Sequence, residues 1–337
     1  MIASLRPWLV ESPETLPESS GGDPNGTTVY EFLAALAASL SLLTGPVTLS
    51  TWREAVPFRS VIVAHIPPEL APEVDLRPKI AAYRLHVRDQ GSRGTCTVFA
   101  TAFLIEYQRA GMADAPHRLD LSEEYLNWAG NKATGEDADG GFFTKEIAGY
   151  NAWGISTARE MPNQATYDAA NPDTPSQTVI AKAAALFPQR YRTSYPFEIV
   201  KVWDNTKGMN AAELKKTLTI LRSGRPVASG MWWQNNFATV SVRGVPLLKY
   251  YSRSANTGAN PPMFDGHTID LVGFRESRAF PDGGYFIFRN SWGTSFGDKG
   301  YGFVSFRYIR TWANDAIAVT TGPHFALPTH SNPNLKL

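Results

Sequence analysis

The sequence predicts an α+β fold in which a helical half precedes a half made of short strands. Between residues 73 and 225, the main pattern is of apolar stretches of helical length. After residue 225, short runs rich in β-branched and aromatic residues alternate with Gly and Pro, which is typical of an antiparallel sheet or barrel. With 337 residues, of which 43% are hydrophobic, the chain can bury a sizeable core.

The composition excludes several classes of protein. The 32 basic and 31 acidic residues leave a net charge of +1, and no basic run stands out, so a nucleic-acid partner is not expected. The longest apolar stretch, Phe32 to Leu43, is too short for the roughly 20 residues of a membrane-spanning helix. Because acidic residues outnumber basic ones before it, it does not resemble a secretory signal, and we expect a cytoplasmic protein or one exported by a non-classical route. The oligomeric state stays open.

Residues 1–72 are predicted to form a separate N-terminal extension. Thr28 and Glu31 match a capping box, an apolar stripe follows, and Gly45-Pro46 ends the helix. A strand is predicted over Phe58–Ile66 and a Pro-rich linker over Pro67–Pro72. A helix this short has to dock. It can dock on the β half, as an inhibitory segment that runs on through the cleft, or at a structural site elsewhere.

The rest of the chain reads as one domain. The stretch Cys96–Ala110 is apolar on nearly every side, which predicts a central buried helix. Further helices are predicted over Ser122–Ala129, Phe143–Trp153 and Ala211–Ser223, the last capped by Asn210 with Glu213. Strands are predicted over Pro226–Met231, His267–Phe274, Tyr285–Asn290 and Tyr301–Phe306.

Cys96 is the single cysteine of the chain, which excludes intrachain disulfides, Cys-rich metal sites and dithiol redox motifs. It opens the predicted buried helix after a glycine-rich turn, where unpaired N–H groups and the helix dipole favour an anion. A lone cysteine is commonly a small buried apolar residue, but this position favours a nucleophilic thiolate. No cofactor is expected, and no metal either, because the segment 137–140 is only a fragment of a calcium loop.

A thiolate nucleophile needs an imidazole, and His267 is the best candidate of the six histidines. It begins an apolar strand directly after a loop, which would hold it rigidly. His86, in a loop near Cys96 in sequence, stays an alternative. The imidazole also needs an orienting acceptor. Asp270 lies on the opposite face of the strand from His267 because side chains alternate. Asn290, followed by Trp292 as a possible shield from water, is therefore the predicted acceptor.

Several motifs occur in the order found in papain-like cysteine peptidases, and the resemblance extends over most of residues 73 to 310. They are Val74-Asp75-Leu76-Arg77, which resembles the start of the mature enzyme, Gln90 to Cys96, Leu121-Ser122-Glu123-Glu124, Gly140-Gly141, Gly224 to Val227, Gly266-His267, Asn290 to Gly293 and Gly300-Tyr301-Gly302. Each motif alone is weak, and their order is strong. Without cysteines for disulfides, the chain resembles a disulfide-free, bacterial-type branch.

The resemblance implies a papain-like fold with two lobes, a helical lobe and an antiparallel β-barrel lobe. The catalytic domain would span residues 73–320, divided near residues 195 and 196, and residues 321–337 would be a tail. Cys96 and His267 would face each other across the cleft, and Gln90 would donate its amide to the oxyanion. Substrate would contact a set of five residues, namely Gly140, Gly141, Phe142, Phe143 and Gly266.

Three positions depart from the usual pattern of that family. Arg93 stands where secreted members carry a disulfide cysteine, Thr97 replaces a common tryptophan, and Gly266 replaces Asp or Asn. The catalytic set itself is complete. We therefore predict a cysteine peptidase acting on peptides or proteins, with self-inhibition as one role that residues 1–72 could have. Peptide ligation, glutamine deamidation and an inactive binding protein remain the alternatives.

Overall fold

The computed structural model describes residues 66–111, 119–187 and 197–320, all of which belong to one compact unit. The helices are α1 (Arg77–Ala82), α2 (Cys96–Ala110), α3 (Glu123–Thr134), α4 (Phe143–Trp153), α5 (Gln177–Leu186), α6 (Ala211–Arg222) and α7 (Phe306–Trp312). The strands are β1 (Val74–Asp75), β2 (Phe197–Lys201), β3 (Val227–Gln234), β4 (Thr239–Val242), β5 (Val245–Leu248), β6 (Met263–Glu276), β7 (Gly284–Arg289), β8 (Tyr301–Ser305) and β9 (Ala313–Val319). The predicted α+β class is confirmed.

The strands form one sheet, with the order β2-β9-β3-β6-β7-β8-β5-β4 and with β1 paired to β6. Neighbouring strands are antiparallel except for β5 and β8, which are parallel at a single pair of residues, Leu247 and Phe303. The sheet is therefore mixed rather than purely antiparallel. Strand β6 is central to the site because it pairs with β3 on one side and with β7 on the other.

Helix α2 is the buried helix that the sequence predicted, with the predicted bounds. Every residue from Cys96 to Tyr107 is buried, which explains why the helix lacks a polar face. It packs on the sheet near β6, where the hydroxyls of Thr97 and Thr268 lie 3.0 Å apart. This contact brings the start of α2, and with it Cys96, next to the residues that precede Thr268.

A bulge in β6 lies directly before His267. Met231 pairs with His267 while Trp232 pairs with Asp265, so Gly266 is the extra residue in β6. Gly266 has a φ of +118°, which glycine adopts without strain. At the bulge, the carbonyl of Gly266 faces Cys96 and the ring of His267 faces Asn290.

Several sequence interpretations lie outside the described residues. They are the helix over 28–43, nearly all of the strand over 58–66, and the tail 321–337. Among the described helices, none combines the length and the apolar character needed to cross a bilayer. In the same part of the chain, no group of three or more His, Cys, Asp or Glu side chains is arranged to hold a metal ion.

Candidate functional site

Cys96 is the first residue of α2 and is 6% exposed. Its Sγ donates to the carbonyl oxygen of Gly266 at 3.8 Å, so the thiol lies beside the residue that precedes His267. The structure thus brings Cys96 and the β6 bulge together over a separation of 170 residues. In this arrangement the thiol points to the Gly266 carbonyl rather than directly to the imidazole.

The side chain of His267 lies against Asn290, the residue that the sequence analysis paired with it. The Nε2 atom of His267 lies 2.9 Å from Oδ1 of Asn290, and both side chains are buried. Asn290 is itself fixed, because its backbone N–H donates to Gly300 and its Oδ1 also accepts from the N–H of Ser291. Since Nε2 is engaged by Asn290, Nδ1 is the ring nitrogen that stays available for a proton transfer.

Two indole rings enclose the imidazole. The Trp292 ring lies 4.5 Å from the His267 ring, centroid to centroid, and the Trp233 ring lies 4.6 Å away at a steep angle. Sequence reasoning identified Trp292 but missed Trp233. Trp233 lies on the same face of β3 as Met231, which pairs with His267. This signal could be read only once the register of β3 against β6 was known.

Gln90 is buried next to the start of α2. Its Nε2 donates to the carbonyl of Arg93 at 2.7 Å, and its Oε1 accepts from the hydroxyl of Ser291 at 2.5 Å. Its backbone N–H donates to the carbonyl of Ser291, adjacent to Asn290. Ser291 therefore fixes which end of the Gln90 amide faces Arg93, a role that sequence reasoning did not foresee.

The two predicted substrate-strand glycines are not equivalent. The N–H of Gly140 donates to Oδ1 of Asn127, and its carbonyl accepts from Nζ of the buried Lys145 at 2.6 Å. Gly140 also lies against Gly94, since a Cβ at Gly140 would be 2.2 Å from the Gly94 carbonyl oxygen. Gly140 is thus committed to internal contacts, and Gly141 is the better candidate to pair with a peptide backbone.

The two phenylalanines after these glycines also differ. Phe142 is 48% exposed and its ring packs edge-on against Trp203 at 5.7 Å. Phe143 begins α4 and is only 3% exposed, within the core. The alternation arises because Phe142 is the N-cap residue, with extended backbone, and Phe143 is the first helical residue. Phe142 is accordingly the ring that can meet a ligand.

Burial opposes a charge on Cys96 or on His267 when either is taken alone. Desolvation raises the pKa of the Cys96 thiol, although hydrogen bonds with Thr268 and Thr97 act in the other direction. Desolvation also lowers the pKa of His267 to about 4, against the effect of the Asn290 hydrogen bond. A thiolate and an imidazolium formed together would attract each other and offset part of this cost.

Asp270 takes no part in the His267 site. Its carboxylate pairs with Arg289 at 3.7 Å, and both side chains are buried. This agrees with the prediction that Asp270 faces away from the imidazole. His86 is exposed in the loop before Gln90, and its backbone carbonyl accepts from Arg289.

The chain is similar to known cysteine proteases. A family model described as papain family cysteine protease matches residues 70–318. The viral cathepsin of Choristoneura fumiferana defective polyhedrosis virus is 30% identical over 248 residues, which cover 72% of this chain and 62% of the viral protein. Xylellain, a cysteine protease from Xylella fastidiosa, has a similar fold, with a TM-score of 0.52 and 23% identity over 75% of this chain and 87% of that chain.

Proposed function

Because the chain belongs to the papain family of cysteine proteases, we propose that it hydrolyses peptide bonds in peptide or protein substrates. The observation that carries this proposal is the meeting of Cys96, at the start of a buried helix, with a bulge whose next residue is His267, held by Asn290. A reactive thiol and an oriented imidazole are the two groups that nucleophilic acyl transfer requires.

In the first half of the reaction, the Cys96 thiolate attacks the carbonyl carbon of the scissile bond. The oxyanion accepts hydrogen bonds from the backbone N–H of Cys96 and from Nε2 of Gln90. The carbon–nitrogen bond then breaks, and His267 gives its Nδ1 proton to the departing amine. An acyl group remains on Sγ as a thioester.

In the second half, water replaces the amine. His267, now neutral, takes a proton from the water at Nδ1 while the water oxygen attacks the thioester carbonyl. Breaking the carbon–sulfur bond releases the carboxylic acid and restores the thiolate and the imidazolium. Asn290 keeps the imidazole oriented through both halves, because its amide oxygen accepts from Nε2–H in either charge state.

A mixed peptide library, followed by mass spectrometry of the products, tests this function. Hydrolysis yields two fragments whose masses sum to that of the peptide plus one water, and Cys96→Ala should yield none. Products longer than the input peptides would instead indicate ligation, and conversion of a glutamine amide to an acid would indicate deamidation. No product from any peptide would contradict an enzymatic role.

The pH dependence of Cys96 alkylation tests the ion pair separately. Alkylation should stay fast near pH 5, because a thiolate paired with an imidazolium persists below the ordinary thiol pKa of about 8.5. The adduct is unambiguous, since the chain has no other cysteine. In His267→Ala the rate should fall with decreasing pH as it does for a free thiol, and the same fall in the unaltered chain would contradict the ion pair.

We also propose that the N-terminal extension inhibits the site. Its described end is anchored on the β half, since the Leu70 carbonyl accepts from the hydroxyl of Tyr285 and the Glu69 carbonyl accepts from Arg275. These contacts fix the residues that directly precede Glu73 on that half. A chain starting at Glu73 should cleave peptides faster than the full chain, and added peptide 1–72 should suppress it. Equal rates, with the shorter chain folded, would reduce the extension to a stabilising segment.

A further inference from the structure

The guanidinium of Arg93 is buried between the turn that precedes Cys96 and the loop that leads to Gly140. Its side chain is 2% exposed. Nε donates to both carboxylate oxygens of Asp139, at 3.1 and 3.2 Å, and the terminal Nη2 donates to Asp139 at 2.7 Å. This is a forked pairing, in which the planar guanidinium fixes the direction as well as the distance of its partner.

The same guanidinium is fixed on its other side by helix α3. Nη1 of Arg93 pairs closely with the buried carboxylate of Glu124, which also accepts from the N–H of Gln164. Although burial lowers the pKa of Arg93, the bonds to Asp139 and Glu124 raise it above the ordinary value, so the side chain stays charged. We refer to Arg93, Glu124 and Asp139 as the Arg93 cluster.

The backbone around Arg93 contacts two further functional segments. The carbonyl of Arg93 accepts from Nε2 of Gln90, the proposed oxyanion donor. The next carbonyl, that of Gly94, lies against Gly140 so closely that no side chain fits between them. Arg93, three residues before Cys96, thus contacts the proposed oxyanion donor through its backbone and Asp139, directly before Gly140, through its side chain.

We propose that Arg93 is a positioning residue that holds Gln90, the start of α2 and the Gly140-Gly141 segment in one arrangement. The inference rests on the proposed peptidase function. Residues 91–95 and 135–142 have no regular helix or strand of their own, so no hydrogen-bond ladder fixes one loop against the other. The Arg93 cluster fixes the two loops against each other instead, because Asp139 is the residue directly before Gly140.

Asp139→Asn tests this role, with Asp270→Asn as the matched control. Both changes replace a carboxylate paired with a buried arginine, and Asp270 is the more buried of the two, with 4% of its side chain exposed against 20% for Asp139. Only Asp139 adjoins the substrate strand. Rates are measured for one peptide series at a temperature at which thermal unfolding curves show both variants folded.

We expect Asp139→Asn to raise KM about tenfold with a smaller change in kcat, because a small displacement of a binding strand weakens substrate positioning. Asp270→Asn should keep KM within about twofold of the unaltered chain, whatever its loss of stability. Equal KM values in the two variants would overturn the proposal, since a purely stabilising ion pair would not separate them. If Asp139→Asn does not fold, Asp139→Glu takes its place in the same comparison.

Arg93→Lys gives a second, independent readout. Lysine keeps the charge but is a single point donor, so it cannot serve Asp139 and Glu124 with forked geometry. A raised KM supports the role of the guanidinium, and an unchanged KM overturns it. If the unaltered chain cleaves no peptide, the proposed function fails, and the comparison moves to binding of a peptide by Cys96→Ala chains. Weaker binding with Asp139→Asn would then support the positioning role, and equal or absent binding would overturn it.

Discussion

Different interactions fix the two sides of the candidate site. On the side of Cys96, loops without regular structure are fixed by charged side chains. Arg93 pairs with Asp139, and Lys145 donates to the Gly140 carbonyl. On the side of His267, a strand presents the imidazole, and aromatic rings cover it.

The difference follows from the backbone on each side. A strand is already fixed by its ladder hydrogen bonds, so a residue on it needs only packing and exclusion of water. A loop has no such ladder and needs directional contacts from side chains. Substitutions of the groups that fix the Cys96 side should therefore mainly alter KM, and substitutions of those that fix the His267 side should mainly alter kcat and the pKa of the imidazole.

The largest effects are expected on the reacting groups themselves. Cys96→Ala should abolish turnover, because no covalent intermediate can form. Asn290→Ala should lower kcat by about two orders of magnitude, because it removes only the orientation of a general acid–base group. Steady-state rates on one peptide give both values. If Asp270→Asn abolished turnover while Asn290→Ala did not, the assignment of the acceptor would be wrong.

Neutralising the unpaired carboxylate of Glu146 should stabilise the fold, whereas neutralising a paired carboxylate should destabilise it. Both oxygens of Glu146 are buried without a hydrogen-bond partner, and burial raises its pKa to about 8. In the unfolded state the Glu146 carboxyl ionises above about pH 4.5, whereas in the folded state it stays protonated up to about pH 8. The folded protein therefore becomes less stable as the pH rises between these two values. Glu146→Gln should therefore raise the unfolding free energy by about 3 kcal/mol at pH 7.

Denaturant unfolding at pH 5 and pH 7 measures this effect. The gain from Glu146→Gln should be small at pH 5 and larger at pH 7, because only the ionised form is penalised. Glu124→Gln is the matched comparison on a paired carboxylate and should lower stability, since it leaves the buried Arg93 with one partner fewer. A loss of stability in both variants would contradict the distinction between paired and unpaired carboxylates.

On the His267 side, removing a ring should admit water rather than move a loop. In a Cys96→Ala background, where no thiolate pairs with the imidazole, Trp292→Ala should raise the pKa of His267 from about 4 toward its ordinary value of about 6.5, because desolvation is the main cause of the shift. In the chain that keeps Cys96, we expect kcat to fall about tenfold as the His267–Asn290 bond weakens in contact with water. An NMR titration of the imidazole and steady-state kinetics report the two effects. Trp292→Phe, which retains a ring, should change both less.

The smallest effect is expected at the rim, where Phe142 is exposed. Phe142→Ala should raise KM severalfold for peptides with a bulky apolar residue just before the one whose carbonyl is attacked, because about 25 cal/mol is lost per Å² of apolar contact. Val240→Ala removes an equally exposed apolar side chain, 47% exposed, on strand β4 and should leave KM unchanged. A clear preference for Arg or Glu at that substrate position would contradict an apolar pocket.

Local patterns in the sequence determined the elements that carry the site. The bounds of α2 and α4 agree with the prediction, and the capping box of Asn210 and Glu213 is present. These signals come from neighbours within one or two helical turns, so they need no tertiary information. The ordered motifs likewise identified the family and selected Cys96, His267 and Asn290 before any contact was known.

Elements whose stability comes from distant partners were missed. Strand β9 was not predicted, although it lies between β2 and β3, and neither was the β4–β5 hairpin. These short segments have only a weak local preference for the strand conformation, and pairing with neighbouring strands in the sheet determines that they form strands.

The tertiary structure alone decided which side chains meet around the site. Arg93 and Asp139 are 46 residues apart, and Trp233 reaches His267 only through the register of β3 against β6. A sequence pattern reports on residues a few positions apart, whereas these contacts depend on how α2 packs on the sheet and where the bulge at Gly266 falls. The candidate reacting groups could therefore be proposed from the sequence itself, but the charged and aromatic groups that contact them could be identified only from the folded structure.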